Sequence, residues 1–403
     1  MKPIYDDKLI SILFIETGTL GGGSSYSLTQ HLEAINKNHF KPVVACLKDN
    51  PNVALWRKLG VKIYTLNNSV YSIKNTNIID IINSILFSQF LKYFNHLILL
   101  ITKLFHQRSI TEIGEIISQN NIKIVHLNIN IYRDLFAAVA AHRSGVRCVS
   151  HLRSMRKIKL SNSFLKFVNE NIDYFISNSQ ANKKYWSSLG IEDKKIRVIY
   201  NAINLYEGAT TQIRKEFSIP NRFDKIIGCV ASLYDSKGHH YLLDGFAELI
   251  SKANNYFLLI IGDGPLKGEL ISKSKQLGID QNILFVGYHK NALALIKSLD
   301  ILIVPSKNES FGRSIIEGMS TSTPIIATNV GGIPEIITNR KTGLLIKYGD
   351  ISGFINAIEL MDTNSKLRRK MVLNAYKKVQ NKFMIDKYIK SMNEIYYSIL
   401  IKK

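Results

Sequence analysis

Residues 301–337, ILIVPSKNESFGRSIIEGMSTSTPIIATNVGGIPEII, constrain the fold more than any other stretch of the chain. A continuous apolar run, Ile301 to Val304, stops at Pro305 and reads as a strand buried on both faces of a parallel sheet. After a polar loop, Gly312 opens a helical pattern with apolar residues at 315, 316 and 319 and Ser310 as the expected N-cap. A second buried strand, Pro324 to Ala327, leads through Gly331 and Gly332 to another helix with Glu335 in its first turn. Two such units in succession put a helix N-terminus at the carboxyl end of each strand, where backbone N–H groups and the helix dipole favour anions. Glu309 and Glu317 flank the first of these turns, one reaching a ligand from the loop and the other from the helix.

The same alternation runs through all 403 residues, a length suited to two domains. Leu9 to Ile15, Lys41 to Leu47, Val61 to Leu66, Ile122 to Leu127, Val146 to Ser150 and Tyr174 to Ser177 read as strands, with Ser179 capping the helix that follows. Tyr206 to Thr211 is polar and reads as a linker. Ile226 to Ala231, Tyr256 to Ile261, Ile283 to Val286 and Leu344 to Ile346 complete a second set. The pattern predicts α/β domains of the doubly wound, Rossmann-like kind, with ligand at the strands' carboxyl ends. The first strand runs into Gly18-Thr19-Leu20-Gly21-Gly22-Gly23-Ser24-Ser25 and then a helix, a turn suited to phosphate or sugar. It is neither G-x-G-x-x-G nor a P-loop, since no Gly-Lys-Ser/Thr follows.

Lys and Arg outnumber Asp and Glu by 53 to 31, for a net charge of +22 spread over both halves. Its partners should be anionic: nucleotide phosphates, a phosphorylated acceptor or an anionic membrane surface. Nucleic acid is not expected, because no recognition motif accompanies the charge. Arg153, Arg156, Lys157 and Lys159 form a basic cluster that reads either as a holder of an anionic acceptor or headgroup or as a solvated loop. Residues 81–102 carry one charged side chain, Lys92, but polar residues interrupt the run. The segment reads either as an interfacial helix or helix pair or as a core helix pair. Cys46, Cys148 and Cys229 are far apart in apolar runs, as expected of reduced, buried thiols in a cytosolic protein. The start of the chain does not fit a signal peptide: its apolar run is short and two aspartates precede it.

The Glu309-x7-Glu317 pair, the Ser310-Phe311-Gly312 corner and the Gly331-Gly332-Ile333-Pro334-Glu335 loop together resemble the donor site of the retaining glycosyltransferases of family 4 (glycosyl transferases group 1), which have the GT-B fold. The likeness is strongest over 226–350 and weaker but continuous before it. It implies two Rossmann-like domains facing across a cleft: 1–205 for the acceptor and 206–385 for the nucleotide-sugar donor, with a final helix, 386–403, packing back on the first. It also implies site roles. Gly22, Gly23 and Ser24 would approach the donor diphosphate and the acceptor. Glu317 would take ribose hydroxyls, and Glu309 with the N–H groups of Phe311 and Gly312 would hold the sugar or diphosphate. His151 would touch the sugar, with His126 a second histidine on the acceptor side. The turn at Gly262 would lie beside the nucleotide, and Gly287 and Tyr288 would line the base pocket.

The stretch Ser232 to Gly238 resembles the family's G-R-L-x-x-x-K-G. Lys237 matches and would neutralise the departing diphosphate; Ser232 stands in place of the arginine. Arg313 is the expected replacement, since a cation in a helix's first turn opposes the dipole unless an anion is near. Ser322 replaces a family glycine, with an effect expected on packing only. No Asp-x-Asp occurs, and no His, Cys and carboxylate set has metal-ligand spacing. The expectation is metal-independent, retaining transfer from a nucleotide-diphosphate sugar, a co-substrate rather than a cofactor. The acceptor would be a glycan or lipid-linked molecule in surface polysaccharide or lipopolysaccharide assembly, at the inner face of a membrane. A GT-B epimerase or hydrolase would instead turn over without an acceptor. A non-catalytic GT-B glycan-binding subunit would bind donor without turnover, and the missing arginine favours it.

Overall fold

A computed structural model of the chain describes residues 9–18, 22–47, 50–66, 106–155 and 158–401. The segment 81–102, Arg156 and Lys157 lie outside the described residues. The chain divides into two units, Met1–Ile199 with Tyr388–Lys403, and Tyr200–Lys387.

The first unit holds seven strands: β1 (Ile10–Glu16), β2 (Phe40–Leu47), β3 (Lys62–Leu66), β4 (Ile124–Leu127), β5 (Arg147–Leu152), β6 (Tyr174–Ser177) and β7 (Ile196–Val198). Their spatial order is β3-β2-β1-β4-β5-β6-β7. The second holds β8 (Lys225–Val230), β9 (Tyr256–Ile261), β10 (Ile283–Gly287), β11 (Ile301–Val304), β12 (Ile325–Thr328) and β13 (Leu344–Ile346), ordered β10-β9-β8-β11-β12-β13. Every strand pairing is parallel. Each order reverses once, between β1 and β4 and between β8 and β11, and such reversals open a crevice at the strands' carboxyl ends.

The uninterrupted apolar runs follow from this layering. Along β11, Ile301 and Ile303 enter one core of the second unit, while Leu302 and Val304 enter the other. Successive side chains point to opposite faces, so a strand covered on both sides needs an apolar residue at every position. Leu302 is fully buried, and cutting it to alanine should cost about 2–5 kcal/mol. The three cysteines are buried free thiols.

Most expected strands fall within two residues of their observed bounds, and two differences matter. β5 runs on to Leu152, so His151 lies within the strand rather than after it. The Arg313–Ser320 helix is capped by Gly312 at φ 99°, not by Ser310, because the chain turns left-handed immediately before the helix. The last helix, Ile385–Ile401, leaves the second unit at Lys387, and its remainder groups with the first. No helix among the described residues is long and apolar enough to cross a membrane.

Candidate functional site

In the second unit the loops after β8 and β11 flank the point where strand order reverses. The first carries Lys237 on a single 3-10 turn, Asp235–Lys237, followed by Gly238 at φ 71°. A Cβ at 238 would stand 1.9 Å from the Pro305 carbonyl oxygen, so glycine lets the two loops touch. The N–H groups of Lys307 and Asn308 donate to the Ser236 carbonyl, at 2.9 and 3.1 Å. Lys237 Nζ then donates to Glu309 Oε2 at 2.6 Å, and Ser306 Oγ donates to the same oxygen at 3.3 Å. The Glu309 carbonyl accepts from Gly332 N–H at 3.0 Å, tying in the paired-glycine loop. The sequence signals for Lys237, Glu309 and Gly332 thus converge on one place.

The second carboxylate is engaged by the arginine expected to serve phosphate. Arg313 Nη2 and Nε donate to Glu317 Oε1 at 3.0 and 3.2 Å, and both side chains are largely covered, at 14% and 15% exposure. A cation in the first turn of a helix costs about 0.3–1 kcal/mol. An i,i+4 pair returns only about 0.3–0.5 kcal/mol. Glu309 Oε1 and Glu317 Oε2 accept no hydrogen bond from the described residues, and none of these groups accepts from the N–H of Phe311 or Gly312. The corner is stiff beneath them: the Phe311 ring is buried within 6.1 Å of Tyr200 and 5.9 Å of Phe383. Glu335 accepts from Tyr200 Oη at 3.0 Å, which with burial raises the tyrosine pKa to about 12. Gly262 donates its N–H to the Gly287 carbonyl at 2.8 Å, and Tyr288 beside it is 71% exposed. Ser322 has φ 60° and is exposed. Its departure from glycine therefore acts through backbone conformation rather than packing, which corrects the expectation.

In the first unit the two histidines lie in a buried ring cluster. His126 stacks on His151 at 4.9 Å, and His31 stands 6.1 Å from His126. All three are 2% exposed or less. Burial, with the nearby Arg153 charge, lowers each pKa, to about 3 for His31, so the rings are neutral. His126 Nδ1 bonds Tyr396 Oη at 2.6 Å. That buried bond ties His126 to the last helix. A backbone hydrogen bond with Ile176 slightly opposes the shift of His151.

Gly22 caps the Gly23–Ala34 helix at φ −68°, and a Cβ there would meet no described atom within 4 Å. Neither the backbone nor the described neighbours demand glycine at 22. Gly23 is exposed, and Ser24 offers its carbonyl to Asn128 Nδ2 at 3.2 Å. Two buried carboxyls that sequence reasoning passed over lie beneath this turn. Glu16 accepts from Gly18 N–H and Ser25 Oγ, at 2.9 and 3.0 Å. Asp134 accepts from Thr17 Oγ1 at 2.7 Å. Burial raises both pKa values, that of Asp134 to about 7. The signal for Glu16 was a single acid closing a seven-residue buried strand just before the glycines.

Two Rossmann-like parallel sheets, each reversing its strand order once, define a two-domain GT-B protein. The solved structure of Anabaena HepE in complex with UDP-glucose superposes with a TM-score of 0.78 at 18% identity, covering 96% of this chain and all of that one. Residues 21–207 match the family described as Glycosyltransferase Family 4, and 210–378 match Glycosyl transferases group 1. The chain belongs to this glycosyltransferase family. N-acetyl-alpha-D-glucosaminyl L-malate synthase of Bacillus anthracis is 28% identical over 303 residues, 72% of this chain and 78% of the relative. The UDP-Gal:alpha-D-GlcNAc-diphosphoundecaprenol alpha-1,3-galactosyltransferase of Escherichia coli is 24% identical over 315 residues, 73% and 80% of the two chains.

Proposed function

We propose that the chain transfers a sugar, with retention and without a metal ion, from a nucleotide-diphosphate sugar to a glycan or lipid-linked acceptor in surface polysaccharide assembly. The observation that carries the reading is the Lys237–Glu309 pair at the reversal between β8 and β11, beside a second carboxylate on the next helix. Glu317 takes the ribose hydroxyls through its unused oxygen. Glu309 and the N–H groups of Phe311 and Gly312 hold the sugar or diphosphate. Lys237 and Arg313 stabilise the charge that grows on the diphosphate as the sugar C1–oxygen bond breaks. The acceptor oxygen bonds C1 on the same face, and its proton passes to the departing phosphate oxygen. His151 touches a sugar hydroxyl, and Gly22 leaves room for close approach. Names among the relatives support the class of acceptor: one acts on a diphosphoundecaprenol-linked sugar. Net charge and that acceptor class support a cytoplasmic enzyme peripheral on the inner face of the membrane.

The test is a thermal-shift panel of UDP, GDP and ADP sugars, followed by NMR of the anomeric proton in the product formed with a membrane extract. One nucleotide series should raise the melting midpoint, and the transferred sugar should keep the donor's configuration. An inverted product would refute retention. Turnover without acceptor at the full rate would make the chain a hydrolase or epimerase instead.

A further inference from the structure

The Ser365–Lys382 helix of the second unit has Lys or Arg at 366, 368, 369, 370, 377, 378 and 382 and no acid. Each other helix of eight or more residues lying wholly in that unit carries at least one acid. On one side Met371, Ala375 and Val379 recur every four residues and are buried in the unit's cores. On the other, 3.6 residues per turn bring Lys366, Arg369, Lys370, Leu373 and Lys377 into an arc of about 100°, over about 17 Å of axis. All five are exposed, Leu373 at 54%. The helix's side-chain hydrogen bonds come from Arg368, Asn374 and Lys378; the four cations of the stripe form none with the described residues, and no ion pair. Lys252 and Lys307, also exposed, are instead paired with Glu248 and Asp235, at 3.3 and 3.0 Å. Lys366 and Lys370 stand one turn apart and repel, with no acid on the helix to offset them. Next to Leu373 lies a groove of about 390 Å³, lined by Pro324, Val372 and Tyr376 together with Arg368 and Arg369. The stripe is thus a set of unpaired cations around an apolar centre. A nucleic acid would match the charge and leave the leucine and groove without a partner. The anionic headgroups and acyl boundary of a bilayer match both. The far end of the helix meets the donor loops. Lys378 Nζ donates to the Glu335 carbonyl at 3.3 Å, and Lys382 Nζ lies 4.3 Å from the centre of the Tyr200 ring, whose hydroxyl donates to the Glu335 carboxylate.

We propose that this stripe docks the second unit on an anionic lipid bilayer, with Lys366, Arg369, Lys370 and Lys377 against the headgroups and Leu373 entering the interface. This rests on the peripheral-membrane reading above and names the surface that makes the contact. Because the same helix braces the paired-glycine loop through Glu335, docking holds the donor loops close to the plane of the lipid.

The experiment uses the full chain in co-sedimentation with phosphatidylglycerol against phosphatidylcholine vesicles, with circular dichroism and the melting midpoint as controls for folding. The helix variant is Lys366→Gln/Arg369→Gln/Lys370→Gln/Lys377→Gln. A charge-matched variant, Lys215→Gln/Arg222→Gln/Lys252→Gln/Lys275→Gln, removes four exposed cations from other elements. Wild type should bind phosphatidylglycerol and not phosphatidylcholine. The helix variant should bind at least about a hundredfold more weakly, since each cation near an anionic leaflet is worth about fivefold. The matched variant should lose less than about tenfold, its charges lying off the docking face. Leu373→Trp reads insertion directly: its emission should shift to the blue on phosphatidylglycerol vesicles, Trp56 and Trp186 being buried. Equal losses in the two quadruple variants would assign binding to net charge and overturn the proposal, as would a tryptophan at 373 that stays in water. Tighter binding of a DNA duplex, lost in the helix variant, would assign the stripe to nucleic acid and overturn it too. Vesicle binding untouched by the helix variant would leave the peripheral-membrane reading standing and remove this surface from it. Wild type that ignores phosphatidylglycerol altogether would sink that reading and the proposal with it.

Discussion

Replacing Lys237 by alanine separates chemistry from scaffolding at the second unit's reversal point. Nζ lies 2.6 Å from Glu309 Oε2, with side-chain exposures of 26% and 11%. Two unit charges at that distance attract by about 1.6 kcal/mol in water and about 6 kcal/mol at an effective dielectric of 20. Desolvation of both groups cancels much of this, leaving a stability loss of about 1–2 kcal/mol on truncation. For a unit of this size that lowers the melting midpoint by about 2–8 °C. The catalytic loss should be larger. Removing one preorganised donor from a developing anion costs about 2.7–4 kcal/mol, or 10²–10³ in kcat. Nucleotide release is followed at 10 °C, where the variant is folded, with donor saturating and a membrane extract as acceptor. The expected result is a fall of about 10²–10³ in kcat with a modest midpoint shift. A variant that melts several degrees early yet turns over at the wild-type rate would show that the pair merely ties two loops together, and the proposed role of Lys237 would fail.

Arg313→Ala should weaken donor binding and lower turnover by about tenfold or more, one charge-assisted hydrogen bond's worth; unchanged values would leave the arginine a structural role only. EDTA should leave the transfer rate unchanged, and strict dependence on added Mg²⁺ or Mn²⁺ would refute metal independence. Ser322→Gly should raise stability by about 1 kcal/mol in urea unfolding, because serine sits at φ 60° without burying its side chain. Asp134 gives a pH signature: its folded pKa, raised by burial to about 7, exceeds its unfolded value, so the folded state holds the proton more tightly. Its contribution is fully present below about pH 4 and is lost as pH rises through 7, so Asp134→Asn should flatten that part of the stability profile relative to wild type. Parallel profiles for the two proteins would contradict the shift.

What was legible in the sequence and what was not divides along a physical line. β11 could be placed to the residue, because a strand buried on both faces must be apolar at each position and a proline ended it. Glu309, Glu317, Lys237 and Gly312 could be placed because each is tied to a local backbone event: a loop, a helix's first turn, a left-handed glycine. Their partners could not. That Arg313 lies against Glu317 is a matter of rotamers on one helix face. That Lys237 reaches Glu309 depends on a glycine clearance between loops 72 positions apart. His151 was located correctly along the chain, but the strand runs one residue past it and the His126 ring stacks on it, and neighbours brought in by folding have no local signature. Glu16 was missed for the same reason, since the Asn128 amide it meets lies 112 positions away. In both units the charged groups collect where the sheet reverses direction. Neighbouring loops part there, so the carboxyl ends of adjacent strands offer polar side chains a site that the crossing helices do not cover. That rule places a site without saying which side chains will pair in it, and here the pairings rather than the positions decide between a carboxylate that binds and one that merely braces.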